Sequence, residues 1–240
     1  MRYKEIHFDE IDSTNAYIKK HHKELEDFTF VSSDYQSNGK GRGDHNWTSD
    51  KGESVLISLL VKDKSIITYG GFLSLVVSLS AIHTIEKYLS DSDIKIKWPN
   101  DIYVNDKKIC GILLEGNIDE YIAIGMGINV NQKSFNGDYR YPPTSIYLES
   151  KRNINIIEFK RDLMGNLINN LQNIGAFKDH YVEEFKAYNY LQNKDISFEI
   201  NGARQTGKVI GVDQEFNLVV ISNGKETKIT SGEVNLVTLL

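Results

Sequence analysis

The stretch Ile94-Lys95-Ile96-Lys97-Trp98-Pro99-Asn100-Asp101 constrains the fold of this chain more than any other. Isoleucine and lysine alternate with period two, so Ile94 and Ile96 share one face of a strand and Lys95 and Lys97 the other. Proline then fixes its own φ and holds Trp98 extended, so the strand must end in a stiff corner. Past the corner, Ile102-Tyr103-Val104 and residues 109–115 flank Asn105-Asp106, which reads as a hairpin turning on the Asn-Asp pair. Residues 121–130 form another apolar strand, and Gly125 and Gly127 within it mark places where something comes close to the backbone.

The rest of the chain supplies helices and then a change of texture. Residues 3–11 alternate in part like a strand, and Ser13 is placed to cap a helix over residues 14–22. Residues 28–32 and 54–61 read as strands, the second a buried one, because so short an apolar run rarely makes a helix. Between them, residues 36–52 form a polar, Gly-rich loop. Gly70-Gly71 precedes a long helix over 72–89. Ile156, Phe159, Leu163, Leu167, Leu171 and Ile174 recur at helical spacing, and Tyr181, Val182 and Phe185 suggest a further short helix. From Leu191 onward short strands alternate with turns, at 196–200, 207–212, 218–221, 227–229 and 234–239. Asn201-Gly202 and Asn223-Gly224 are hairpin turns among them. The expected architecture is α+β: a mixed sheet packed with helices over residues 1–189, then a small β-barrel over residues 190–240.

Composition excludes several classes. A length of 240 residues suffices for one sizeable core or an ordinary domain plus a small one, and 40% hydrophobic with 25% charged residues reads as soluble and globular. The net charge of −5 argues against DNA as a partner, since nucleic-acid binding leaves a basic footprint. The lone Cys110 excludes an internal disulfide and a cysteine-rich zinc site, and it reads as a small buried hydrophobe. The N-terminus has no apolar signal core, and the most apolar window, 72–85, is too short to span a bilayer. A cytoplasmic protein with no membrane attachment is expected.

Two segments carry charge suited to chemistry. In Tyr35-Gln36-Ser37-Asn38-Gly39-Lys40-Gly41-Arg42-Gly43-Asp44-His45-Asn46-Trp47, glycines free the backbone N–H groups to form an anion nest, Arg42 can fork onto phosphate oxygens, and Lys40 adds a point charge. A surface loop with incidental charge is the competing reading. The Walker pattern is absent, so P-loop hydrolysis is not expected. Lys97 is either a cation on a solvated strand face or one held in place by the corner behind it. Asn100-Asp101 offers an amide and a carboxylate to a nucleotide or to Mg²⁺. Ser13-Thr14-Asn15 serves a helix N-terminus and equally suits a neutral polar ligand.

Taken in order, Asp12-Ser13-Thr14-Asn15, Gln36 with Gly39-Lys40-Gly41-Arg42 and Trp47, Lys97-Trp98-Pro99-Asn100-Asp101, Gly111-Ile112-Leu113-Leu114-Glu115 and Gly125-Met126-Gly127-Ile128-Asn129 resemble the motifs of biotin–protein ligases. The tail, Gly207, Gly211-Val212-Asp213, Leu218 and Gly232-Glu233-Val234, is similar to that family's SH3-like domain. The resemblance implies a catalytic core of the class II synthetase and biotin–lipoate ligase type. It also implies two steps: biotin and MgATP give biotinyl-5′-adenylate and pyrophosphate, then a lysine of a biotin carboxyl carrier domain takes the biotin and releases AMP. It assigns Lys97 and Arg42 to catalysis, and Ser13, Thr14, Asn15, Gln36, Gly39, Lys40, Gly41, Arg42, Lys97 and Gly111 to biotin. Lys40, Arg42, Trp47, Asn100 and Asn129 go to ATP and the adenylate, and Asp101 to Mg²⁺.

Bifunctional relatives carry a DNA-binding domain before the Ser-Thr-Asn motif. Here that motif begins at residue 13, so a form lacking that domain is expected; a homodimer is left open. The loop departs from its relatives at Gly43-Asp44-His45-Asn46, where further arginines are usual, and Asp44 is expected to offset part of Arg42. Two alternatives stand beside the ligase: a lipoate or octanoate ligase or transferase of the same superfamily, and a regulator that holds biotinyl-adenylate without catalysis.

Overall fold

The computed structural model describes residues 3–43, 45–137, 139, 141–200, 202–230, 232 and 234–237. Asp44, Asn201, Glu233 and the end of the strand expected over 234–239 lie outside them. The first sheet has seven strands. They are β1 (Lys4–Phe8), β2 (Thr29–Ser33), β3 (Ser54–Val61), β4 (Ile94–Lys97), β5 (Asp101–Val104), β6 (Lys107–Asn117) and β7 (Tyr121–Asn129). Their order is β1-β2-β3-β7-β6-β5-β4; β1 and β2 run parallel and every other pair is antiparallel, so the sheet is mixed.

Strand β3 explains how the sheet is sandwiched. All eight of its residues are buried, so both faces must be covered. Val55, Ile57, Leu59 and Val61 point into the main core, which α3 (Phe72–Ile85) and α5 (Ile156–Gln172) complete. Leu60 points the other way and joins Ile18 of α1 (Thr14–His21), Val31, Tyr121 and Ala123 in a smaller cluster. Helix α3 is buried almost all round because it lies between the sheet and α5. It ends at Ile85, short of the expected 89, as the chain passes into turns. Two short helices, α2 (Lys64–Ile67) and α4 (Ile146–Ser150), were outside the expectation; each is started by a side-chain cap, Asp63 and Ser145. Helix α6 (Lys178–Tyr188) follows α5.

The second sheet is wholly antiparallel: β8 (Asp195–Ile200), β9 (Ala203–Val212), β10 (Leu218–Ser222), β11 (Lys225–Ile229) and β12 (Asn235–Leu236), in the order β11-β10-β9-β8-β12. Asn223 and Gly224 both have positive φ, 51° and 73°, as do Asn105 and Asp106 at 50° and 62°. Both pairs make the primed turn whose twist matches a hairpin. Apolar residues of this sheet, Phe198, Val209 and Leu218 among them, belong to the same core as α3 and α5. Among the described residues no helix is long and apolar enough to cross a membrane.

Candidate active site

One cavity of about 290 Å³ opens on the α1 face of the first sheet. Its floor is set by strand register. Lys97 lies opposite Asp101, Asp101 opposite Gly111, and Gly111 opposite Gly127, so these four residues form one row across β4, β5, β6 and β7. Ser58, Gly125 and Leu113 form a second row on the same face, two residues along each strand.

The second row carries an uncharged hydrogen-bonding end. Ser13 caps α1 through Oγ, which accepts from Ala16 N, and this places Thr14 and Asn15 in the first turn, both buried against the sheet. Gln36 Oε1 accepts from Thr14 N at 2.7 Å. Thr14 Oγ1 lies 2.7 Å from Ser58 Oγ, and Ser58 donates to Asn15 Oδ1 at 2.6 Å. Asn15 Nδ2 in turn donates to Glu115 Oε2 at 3.0 Å and Leu113 O at 3.3 Å. Gly125 is glycine for a stated reason: a Cβ there would stand 2.5 Å from Asn15 Oδ1. The Trp47 ring closes the wall, pressed so near the first row that a Cβ at Gly127 would meet it at 2.5 Å and one at Gly111 at 3.0 Å.

The other end gathers cations. Lys40, Arg42, Lys97 and Lys108 line the cavity, against one carboxylate, Asp101, among the described lining residues. An anion 4 Å from one such cation gains about 4 kcal/mol at an effective dielectric of 20. The Gly-rich segment is not a loose surface loop. It folds into a small hairpin, with Lys40 bridged to Asn46, Gly41 N donating to His45 O at 2.8 Å and Trp47 N to Gly39 O at 3.0 Å. Arg42 reaches Asn100 Oδ1 at 3.3 Å and Gly232 O at 3.4 Å. Lys97 is 7% exposed, so the solvated-face reading does not hold. Its Nζ lies 3.6 Å from the centre of the Tyr141 ring, a cation–π contact, and among the described residues no carboxylate pairs with it.

The cavity thus brings together Ser13, Thr14, Asn15 and Gln36 from the N-terminal motifs, Lys40, Gly41, Arg42 and Trp47 from the loop, and Lys97, Asn100, Asp101 and Gly111 from the corner and hairpin. Three of the expected residues stand apart from this group or are already partnered. Asn129 is not among the lining residues; buried at the end of β7, it donates through Nδ2 to Thr144 O at 3.0 Å and ties down the segment before α4. Gly39 backs the wall instead of lining the cavity, since a Cβ there would meet Trp47 O at 2.6 Å. Asp101 is engaged by Lys108, Nζ to Oδ1 at 2.8 Å. The one group of described residues able to surround a metal, His7, Asp9 and Asp34, does not line the cavity. A magnesium site built by the protein therefore does not fit these residues, because Mg²⁺ asks for open carboxylates or substrate phosphates.

Sequence reasoning missed Lys108, Ser58 and Tyr141. Lys108 follows a hairpin turn, where a lysine reads as ordinary surface; only the register of β5 on β6 brings it beside Asp101, with Nζ 5.9 Å from the Trp47 ring centre. Ser58 had one signal, a hydroxyl inside an apolar strand. Tyr141 had none. Cys110 is fully buried, and burial pushes its thiol far up, which removes it from chemistry.

Residues 7–131, just over half of the chain, match the biotin/lipoate A/B protein ligase family. The bifunctional ligase/repressor BirA of Bacillus subtilis is 27% identical over 221 residues, covering 87% of this chain and 66% of that protein. BirA of Escherichia coli is 34% identical over 124 residues, 50% of this chain and 38% of that protein. The chain therefore spans less than two thirds of the length of these curated relatives. A biotin protein ligase from Aquifex aeolicus, solved in complex with biotin and ATP, has the same fold, with a TM-score of 0.86 at 24% identity over 98% of both chains. That from Leishmania major in complex with biotin gives 0.68 at 20% identity, over 97% of this chain and 100% of that one. The family match runs from β1 through the end of β7, and so takes in α1, the Gly-rich hairpin and the whole lysine row: the chain belongs to the biotin/lipoate A/B protein ligase family.

Proposed function

We propose that the chain is an ATP-dependent biotin–protein ligase that joins biotin to a lysine of a biotin carboxyl carrier domain. The observation that carries this reading is a single cavity with an uncharged hydrogen-bonding end and a cation-rich end, divided by the glycine row and Trp47. The ureido group of biotin has N–H donors and a carbonyl acceptor, which Thr14, Asn15, Ser58 and Gln36 match. Gly111 and Gly127 leave a slot against Trp47 for the rings. The carboxylate then points toward Lys108 and Lys97. Lys108 Nζ lies 3.4 Å from where a Cβ at Gly111 would stand, beside the slot, and Lys97 lies against the Tyr141 ring; this reading gives the carboxylate to Lys108 and the phosphates to Lys97. Arg42, Lys40 and Asn100 complete the nucleotide end. Relatives' complexes with biotin and ATP support the same pair of ligands.

In the first step a biotin carboxylate oxygen attacks the α-phosphorus of ATP. The bond to the β-phosphate bridging oxygen breaks, and pyrophosphate leaves with that electron pair. Fixed cations offset the repulsion between the two anions and stabilise charge on the transferring phosphoryl group. In the second step the carrier lysine's neutral amine attacks the acyl carbon, AMP departs, and the amine's proton goes to solvent. Magnesium enters as MgATP, bound by the nucleotide's own phosphates, and no residue is assigned to it.

Residues 1–189 then serve as the ligase body and 190–240 as an SH3-like appendage. One copy of the chain contains every group invoked, so a homodimer is not required, and DNA is not a partner in this reading. A cytoplasmic setting is part of this reading. Lipoate fits less well in this reading, because its dithiolane ring has no donor or carbonyl acceptor to offer the hydroxyl and amide groups of Thr14, Asn15, Ser58 and Gln36. The test is exchange of labelled pyrophosphate into ATP with biotin, lipoate or octanoate as the acid. Exchange with biotin alone supports the reading; tight biotin binding without exchange makes the protein a binder, and exchange with lipoate moves it to the sister activity.

A further inference from the structure

The cavity opens on the first sheet, yet the C-terminal part of the chain reaches it as well: Val234 and Asn235, the second of them in β12, line it. Arg42 reaches Gly232 O. More tightly, Trp98, 2% exposed, donates Nε1–H to Phe216 O at 2.8 Å. Trp98 sits between Lys97, the last residue of β4, and Asn100, whose Nδ2 donates to Ile112 O at 2.6 Å, so its ring adds a further tie, to the second sheet, on a turn whose two ends the first sheet already holds.

The receiving carbonyl is held firmly. Phe216 has φ of 65°, in the left-handed region that costs an L-residue about 1–2 kcal/mol. The turn 213–217 holds it there. Phe216 N donates to Asp213 O at 3.0 Å, and the Asp213 carboxylate accepts from Glu215 N, Asn217 N and Lys228 Nζ. The Phe216 ring meets Phe185 of α6 edge-on, 5.2 Å between centroids. On the opposite side of the corner, Ser74 of α3 donates to Pro99 O at 2.6 Å. The Trp98-Pro99 corner is thus gripped by the main core from one side and by the second sheet from the other.

We propose that Trp98 is a positioning residue: through its bond to Phe216 O, the second sheet sets where Lys97 and Asn100 stand, and with them the geometry of the nucleotide end. This rests on the reading of that end as the triphosphate site. A tilt of about 10° at the corner carries a lysine Nζ by about 1 Å, and a misplacement of that size costs on the order of 10²-fold in rate.

Two variants test it. Trp98→Phe keeps an aromatic ring and removes the donor; Asp213→Ala loosens the turn from outside the cavity, and Asp213→Asn, which keeps an acceptor for the Glu215 and Asn217 backbone N–H groups, is the rescue. MgATP and biotin affinities are measured separately by calorimetry, beside kcat and KM for pyrophosphate exchange. Both disruptive variants are expected to raise the MgATP Kd or lower kcat by about tenfold or more while biotin Kd stays within about twofold, and Asp213→Asn is expected to recover most of the loss. A merely structural role would lower the melting temperature and weaken both ligands alike, and that result overturns the proposal. So does unchanged MgATP affinity and exchange in either variant; should Trp98→Phe not fold, the Asp213 pair decides alone. Wild-type protein that binds MgATP but shows no exchange sinks the functional reading and leaves the MgATP comparison to judge this one.

Discussion

Gly125→Ala offers a sharp test of the uncharged end, because a single methyl group lands on the side chain that defines it. The added Cβ would stand 2.5 Å from Asn15 Oδ1, 2.9 Å from Cγ and 3.0 Å from Nδ2. The whole amide must retreat by about 1 Å to restore van der Waals contact. Retreat breaks the 2.6 Å bond from Ser58, whose hydroxyl is fully buried and then loses its acceptor, and strains the 3.0 Å bond to Glu115. Each buried group left unpaired costs about 1–3 kcal/mol, so a net loss of about 2–3 kcal/mol in stability is expected. For a chain of this length that lowers the melting temperature by about 4–12 °C. The same displacement removes a ligand contact, so biotin affinity should fall by about 10²-fold, equivalent to about 2.8 kcal/mol. Calorimetric titration with biotin and, separately, MgATP reads the effect, and the MgATP Kd should be unchanged. Biotin affinity within a factor of two of wild type would refute the assignment of Asn15 to the ligand, whatever happens to stability.

Four further outcomes follow from the geometry. Lys108→Ala should reduce biotin-dependent pyrophosphate exchange by about 10²–10³-fold with nucleotide affinity nearly intact, whereas Lys97→Ala should weaken MgATP binding itself; equal effects of the two on both ligands would merge their roles. Arg42→Gly removes the contacts to Asn100 and Gly232, so the mutant should release adenylate faster and label bystander albumin more heavily per adenylate formed, as read by a streptavidin blot. Gly165→Ala lies inside α5 with open space where the methyl would go, and should stabilise the protein by about 0.5–1 kcal/mol in urea unfolding. His83 has its pKa raised chiefly by its hydrogen bond to Glu184 of α6, so its contribution to stability is fully present below pH 6.5 and is lost as pH rises through the higher folded value. The stability gap between wild type and His83→Gln should therefore narrow from pH 6 to pH 9; a gap independent of pH removes the pair from the account.

The sequence disclosed local periodicities well and distant partnerships poorly. Strand β3 matches the expected run from Ser54 to Val61, since eight apolar or small residues between polar loops leave little choice. The Asn105-Asp106 turn and the Ser13 cap were legible because each needs a residue type at one position. Gly125 and Gly127 announced a close approach, though not that Asn15 and Trp47 are what approaches. Lys108 was missed because its importance lies in cross-strand register, which depends on a bulge between Ile102 and Tyr103 that no residue signals. Asn129 shares the strand face of Gly125 and Gly127, but its bond to Thr144 O joins it to a segment 15 residues on, a partnership that no periodicity signals. Tyr141 and Phe216 reach the site from segments with no periodic pattern, so only the folded chain reveals them.

Both tryptophans of the chain, Trp47 and Trp98, line the same cavity. Light that excites indole therefore samples no other part of the molecule. Trp47, its Nε1 buried with no hydrogen-bond partner among the described residues, faces the slot between the two ends of the cavity. Trp98 sits at the seam with the second sheet. The protein thus carries two native optical reporters, one for filling of the slot and one for the seam behind the nucleotide end. Replacing either with phenylalanine isolates the emission of the other, so the order in which the two regions respond to ligand can be followed by stopped-flow without any dye.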